Sequence, residues 1–204
     1  MNDYSQMEID LPAPDEVAMI DVEASSLKGA MGGSHPPERL SYPIEVGVAH
    51  DDGHSQAYLI HPQPDWQDWN GENGNEDIGR IHGISRTALF EEGQDVKFVA
   101  EWLNEEMEGK IALCDSPNAQ ADTFWLNRLY EAAGIERSFE VHYLYDYMAL
   151  DDPDMGAAYE ASGIARQADH RAEQDAVDIM MLYSEYYAIK TDNGAALELD
   201  VPEI

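Results

Sequence analysis

The sequence predicts an α/β layered domain built on a mixed sheet, on three observations. Strand-length apolar runs cluster before residue 62, helix-period runs dominate after residue 93, and a short strand pattern recurs between the helices. With 204 residues and 44% hydrophobic content the chain can bury one sizeable core, and it carries no internal repeat or second domain.

The elements follow in order. Residues 1–16, MNDYSQMEIDLPAPDE, are acidic and polar; they read as a poorly ordered lead-in and lack the features of a secretory or organellar signal. VAMIDVE (17–23) reads as the first buried strand. SSLKGAMGGSHPPERLSYP (25–43) is rich in Gly, Pro and Ser and reads as a loop. IEVGVAH (44–50) and SQAYLIHP (55–62) are strands joined by a DDGH hairpin turn. The polar stretch 63–80 contains Trp66 and Trp69, either base-stacking platforms or anchors against the core. A helix over 95–107 places Val96, Val99, Trp102, Leu103 and Met107 on one face. KIALCD (110–115) is a short strand, and 119–134 is a helix stopped by Gly134. A strand over 139–145, a short helix around Met148 and a small helix over 154–163 come next. The last helix, about 171–189, buries Ala176, Ile179, Met180, Tyr183 and Tyr187, and the domain is expected to occupy 17–190 with a weakly ordered tail over 191–204.

Forty-two acids against 11 Lys and Arg give a formal charge of −31. Such a surface repels nucleic acid and anionic membranes at low salt. The acids are scattered and Lys is scarce, a pattern of either a protein suited to concentrated salt, where screening shortens electrostatic range to about 3 Å, or simply an acidic mesophilic protein. Cys114 is the only cysteine, which excludes an internal disulfide and a cysteine-based zinc site. No apolar run approaches membrane-spanning length, so a soluble, cytoplasmic protein without a membrane partner is expected.

The acids of AMIDVEASSL (18–27) carry the functional question. Asp21 and Glu23 are two apart, so on a strand they share one face. Carboxylates this close repel unless a cation sits between them. A solvated strand end is the plainer reading of these ten residues alone. Asp122 closes NAQAD at the start of a helix, DHRAEQDA supplies His170 and Asp175, and IHGIS (81–85) precedes the first long helix. Singly, each has an ordinary explanation, such as Asp122 complementing a helix dipole.

Taken in order, these motifs resemble the DEDDh branch of the DEDD superfamily of 3′–5′ exonucleases, which includes the proofreading subunit of bacterial DNA polymerase III, ribonuclease T and oligoribonuclease. DVE matches the D-x-E motif, NAQAD the Asn-x-x-x-Asp motif through Asn118 and Asp122, and HRAEQD the H-x-x-x-x-D motif. The resemblance spans roughly residues 17–188. It implies a ribonuclease H-like three-layer fold: a mixed five-stranded sheet flanked by helices. It further implies divalent-metal-dependent removal of nucleotides from the 3′ end of single-stranded DNA or RNA. Asp21, Glu23, Asp122 and Asp175 would then hold two Mg²⁺ or Mn²⁺ ions, and His170 would be the general base. Ala24, Ser25, His82, Asn118 and Arg171 would bind substrate. The partners implied are a short or single-stranded nucleic acid and, as a homodimer, a second copy of the chain. The alternative is a catalytically degenerate homologue serving as an interaction module, which would have no use for four converging acids.

The chemistry agrees with the implied set. Two metal ions about 4 Å apart stabilise both the attacking and the leaving oxygen of a phosphodiester. Hard Mg²⁺ or Mn²⁺ prefers oxygen ligands and keeps positions for water and phosphate. Five residues of α-helix rotate by about 140°, so His170 must sit on the loop or first turn while Asp175 lies on the helix. Ala121 and Pro117 stand where the family carries an aromatic and a histidine, and a long loop follows D-x-E. The terminal-nucleotide contacts therefore differ, and the choice between DNA and RNA is left open. Arg39, Arg80, Arg86, Arg166 and Arg171 are either a phosphate-binding rim or scattered surface arginines.

Overall fold

The computed structural model describes residues 11–69, 82–164 and 171–198, with 193–198 described by backbone alone. The sheet has five strands in the order β3-β2-β1-β4-β5. Its members are β1 (Val17–Ala24), β2 (Pro43–Ala49), β3 (Ser55–Leu59), β4 (Ile111–Cys114) and β5 (Val141–Tyr143). β1 pairs antiparallel with β2, and β2 with β3, through the tight turn expected at DDGH. β1–β4 and β4–β5 are parallel, a pairing that needs long crossover connections such as the helical segments preceding β4 and β5. The mixed five-stranded sheet and its flanking helices are the predicted α/β fold.

Alternation along β1 builds the two sides of the core. Ala18, Ile20, Val22 and Ala24 face one layer, with Ile44, Val46 and Val48 of β2. That layer is closed by α1 (Arg86–Glu92), α2 (Val96–Glu106) and α3 (Gln120–Ala133). Val17 and Met19 face the other layer, against α4 (Asp154–Ser162) and α5 (Ala172–Glu198). Asp21 and Glu23 continue this second row, so apolar packing gives way to acids halfway along the strand.

The approach of α5 to the sheet is set by missing side chains. Gly47 pairs with Asp21. A Cβ built on Gly47 would lie 2.2 Å from the carbonyl carbon of Ala172 and 2.4 Å from the amide nitrogen of Glu173. The helix face meeting the sheet also carries Ala172 and Ala176, both fully buried. Asp175 lies on the same face, three residues beyond Ala172.

Several elements differ from the expectations. Residues 11–16 are docked: Pro14–Glu16 form a 3₁₀ turn, Leu11 packs on the α5 layer, and Tyr183 donates to the Pro12 carbonyl at 2.7 Å. Helix α5 continues to Glu198, through a stretch expected to be a weakly ordered tail. Tyr186 is buried where Tyr187 was expected, and Tyr187 is half-buried. β5 is shorter than 139–145, and a 3₁₀ turn at Leu144–Asp146 replaces the helix around Met148. Helix α1 went unread; Ser85 caps it by accepting from the Ala88 amide at 3.1 Å.

Gly47→Ala is expected to destabilise the fold by about 1–3 kcal/mol through overpacking, because the new methyl meets backbone rather than a flexible side chain. Chemical denaturation measures this, and a neutral substitution would show that α5 is not seated by this contact.

Candidate active site

The acidic site lies at the carboxyl end of β1, where the parallel strands β1, β4 and β5 all terminate. Asp21, Glu23 and Asp175 each offer a carboxylate oxygen, and these atoms all lie within 4.8 Å of one another. All three side chains are half-buried. Asp122 reaches toward the cluster from the opposite layer, in the first turn of α3, and is buried. Asp122 and Asp175 both sit at helix N-termini, where the dipole favours negative charge.

Local structure explains how Asp122 is aimed. The chain leaves β4, makes a 3₁₀ turn at Pro117–Ala119, and holds Asn118 and Ala119 in left-handed conformations, φ 56° and 52°. Two consecutive non-glycine residues in that region are costly, about 1–2 kcal/mol each. The reversal re-aims α3 so that its first turn faces β1. Ser116 then donates its hydroxyl hydrogen bond to Asp122 Oδ2, fixing the carboxylate.

Asp175 is aimed by a second device. Glu45, on β2 opposite Glu23, is buried. Its carboxylate accepts from Arg171 Nε at 2.9 Å and from Arg171 Nη2, and its Oε2 also accepts from the Ala172 amide at 3.1 Å. A strand carboxylate thus satisfies the first free amide of α5 while its neighbouring guanidinium neutralises it. A lone acid inside the apolar run IEVGVAH is the sequence signal for this residue, which belongs to none of the three motifs.

Crowding has the expected electrostatic result. Burial, then the charges of Asp122, Glu23, Asp115 and Asp175, hold the Asp21 carboxyl well above the ordinary aspartate range. Burial raises Glu23 to about 8, with Asp175, Glu45 and Asp122 adding to it and Arg171 opposing. Burial likewise lifts Asp122 to about 6, against the lowering effect of the Ser116 hydrogen bond. Acids pushed up first by burial and then by one another's charge form a site whose charge a cation would balance.

The other named residues are placed as follows. His170, Arg80 and Arg166 lie outside the described residues. Ala24 and Ser25 are buried, and Ser25 Oγ accepts from the Tyr42 amide at 3.1 Å, so the hydroxyl holds the loop against β2. Asn118 is exposed on the strained turn. His82 is buried, with Nδ1 accepting from the Ile84 amide at 3.0 Å. Arg171 is tied to Glu45, Arg86 lies over the Phe90 ring, and Arg39 is exposed on a 3₁₀ turn. Trp66 is an anchor, buried and stacked on Tyr42 at 5.1 Å. Trp69 is packed partly buried against the same core.

The Glu23 shift fixes a sign for pH dependence. Its carboxyl titrates near 4.5 in an unfolded chain and near 8 here. The stabilising contribution is present in full below about 4.5 and is lost as pH rises through 8. Metal-free protein should therefore melt at a lower temperature at pH 8 than at pH 6, and Glu23→Gln should flatten that slope. An unchanged slope in the variant would remove Glu23 as its source.

Neither a protein-family model nor a curated protein matches this chain. Solved structures do. E. coli exonuclease I in complex with a dT13 oligonucleotide superposes with a TM-score of 0.59 at 14% identity, over 90% of this chain and 42% of that one. The zinc-bound E. coli exonuclease I–ssDNA complex gives 0.56 at 12% identity, over 87% and 41%. The RNase domain of yeast Pop2 gives 0.56 at 11% identity, over 87% and 78%. The chain thus spans about two-fifths of the length of exonuclease I, and it has the α/β fold of these nucleases.

Proposed function

We propose that the chain is a divalent-metal-dependent 3′–5′ exonuclease acting on single-stranded DNA or RNA. One observation carries the reading: Asp21, Glu23 and Asp175 converge within 4.8 Å, with Asp122 in the adjoining helix turn. The likeness to exonuclease I and the Pop2 RNase domain supports it, as do oligonucleotide and zinc in the structures of exonuclease I.

The four acids are hard oxygen donors suited to two Mg²⁺ or Mn²⁺ ions. Such ions supply charge stabilisation and lower the pKa of a bound water. In this reading Asp21 is the central ligand, since the charges of the three other acids all bear on it. Glu45 and Ser116 orient Asp175 and Asp122 without touching substrate. His170 takes the proton of the attacking water; its place rests on the H-x-x-x-x-D spacing, and an imidazole with an ordinary pKa of about 6.5 accepts a proton near neutrality.

Hydrolysis of a 5′-labelled single-stranded oligonucleotide should require added Mg²⁺ or Mn²⁺ and shorten the product from the 3′ end. Asp21→Asn and Asp175→Asn should each lower the rate by about 10²–10³-fold, the equivalent of several kcal/mol of lost metal-ion stabilisation. Full activity in excess chelator, or in either folded variant, would refute the reading.

His170→Ala should slow single-turnover cleavage by about 10²–10⁴-fold with metal affinity unchanged. A variant that regains the wild-type rate on metal resaturation would make His170 a ligand instead.

A further inference from the structure

The opposite end of the central strands carries a second group of metal-ligating side chains. Met19, early in β1, pairs with Ala49, so His50 lies at the end of β1 remote from Glu23. The β2–β3 turn is closed by the His50 amide donating to the His54 carbonyl at 2.9 Å, with Gly53 at φ 85°. That closure sets the two imidazoles side by side, their ring centroids 5.6 Å apart. Both point at one atom. His50 Nε2 is 2.9 Å and His54 Nε2 is 3.5 Å from Oε2 of Glu106, the last residue of α2.

We propose that His50, His54 and Glu106 form a binding site for a zinc-class transition metal ion, separate from the carboxylate site. Two donors about 2 Å from a tetrahedral ion stand roughly 3.3 Å apart, and the two nitrogen–oxygen separations bracket that value. The other carboxylate oxygen, Glu106 Oε1, accepts from Trp102 Nε1 at 2.8 Å. An outer hydrogen bond of this kind orients a metal-binding carboxylate and leaves Oε2 for the ion. His50 and Glu106 are mostly buried, whereas the His54 side chain is 48% exposed. The three donors do not all fall within the 4.8 Å spanned by Asp21, Glu23 and Asp175. Bringing all three donors onto one ion therefore requires the 48% exposed His54 ring to rotate, a small cost for a surface side chain.

Two imidazoles and one carboxylate select a borderline ion over Mg²⁺. On binding, the proton between His50 Nε2 and Glu106 Oε2 would be released to solvent, freeing a lone pair on each atom for the ion. The surrounding cleft holds Asp15, Asp51 and Asp52, and its Lys110 ammonium is engaged by the Asp15 carbonyl at 2.6 Å. The field at its mouth therefore favours a cation.

The test is zinc titration of the whole chain in excess Mg²⁺, which occupies the carboxylate site without competing for imidazole. One equivalent of Zn²⁺ should bind, raising the melting temperature and shifting the His50 and His54 imidazole NMR signals in the unaltered protein. His54→Ala, at an exposed position, should melt like wild type in chelator, bind Zn²⁺ at least tenfold more weakly, and keep Mg²⁺-dependent hydrolysis of an oligonucleotide. Absence of the histidine shifts, or equal zinc affinity in wild type and His54→Ala, would overturn the proposal. A wild type without hydrolysis would overturn the exonuclease reading alone and leave the zinc result standing.

Discussion

The site depends on how closely the first turn of α5 is seated on β2. A glycine at 47 lets the sheet meet the backbone of Ala172 and Glu173 directly, and alanines at 172 and 176 add only a methyl each. Helix–sheet separation is normally set by the side chains between the layers, and here it collapses to backbone contact. Asp175, on the same helix face, is consequently carried into reach of Asp21 and Glu23. A bulkier residue at any of the three positions would lift the helix and open the cluster.

Seating the helix leaves its first amides without intrahelical partners. Glu45 accepts from the Ala172 amide and from Arg171 together, so one strand carboxylate caps the helix and is neutralised by the residue preceding it. Glu45 also stands opposite Glu23, and its charge helps hold Glu23 protonated. The device that positions Asp175 therefore adds to the repulsion in the cluster. Two helix N-termini aimed at the acids offset part of that repulsion. The remainder is relieved by protons in the metal-free protein. For a chain of charge −31, local neutralisation by cations is also the route by which a phosphate can approach such a site.

What the sequence disclosed follows from where each signal is stored. The strands and the long helices were legible because their periodicity records burial: Val96, Val99, Trp102, Leu103 and Met107 are all buried as read. The convergence of Asp21, Glu23 and Asp175 was foreshadowed by the resemblance of their spacing to D-x-E and H-x-x-x-x-D. Glu45, Gly47 and Ser116 were not, because their roles exist only across strand pairing and chain reversal. Helix α1 was missed because seven residues leave too short a period. After β1 the Gly, Pro and Ser content marks a loop but not what holds it. In the structure Asp68, buried, accepts from Ser26 and from Lys28 at 2.6 Å, while Trp125 donates to Ser41 at 2.8 Å, so the loop is pinned by residues distant in sequence.

The same central strands separate two kinds of donor. Carboxylates collect at the end where β1 terminates, and imidazoles at the turn leaving β2, because β1 and β2 run antiparallel and Glu45 and Ala49 lie at opposite ends of one ladder. Oxygen-only sites suit hard ions that keep waters for exchange with phosphate, whereas nitrogen-containing sites hold borderline ions more tightly. An ion of the second kind in the carboxylate cluster would compete with the first. The fold therefore sets oxygen donors and imidazole donors at opposite ends of one ladder, each set matched to a different class of ion.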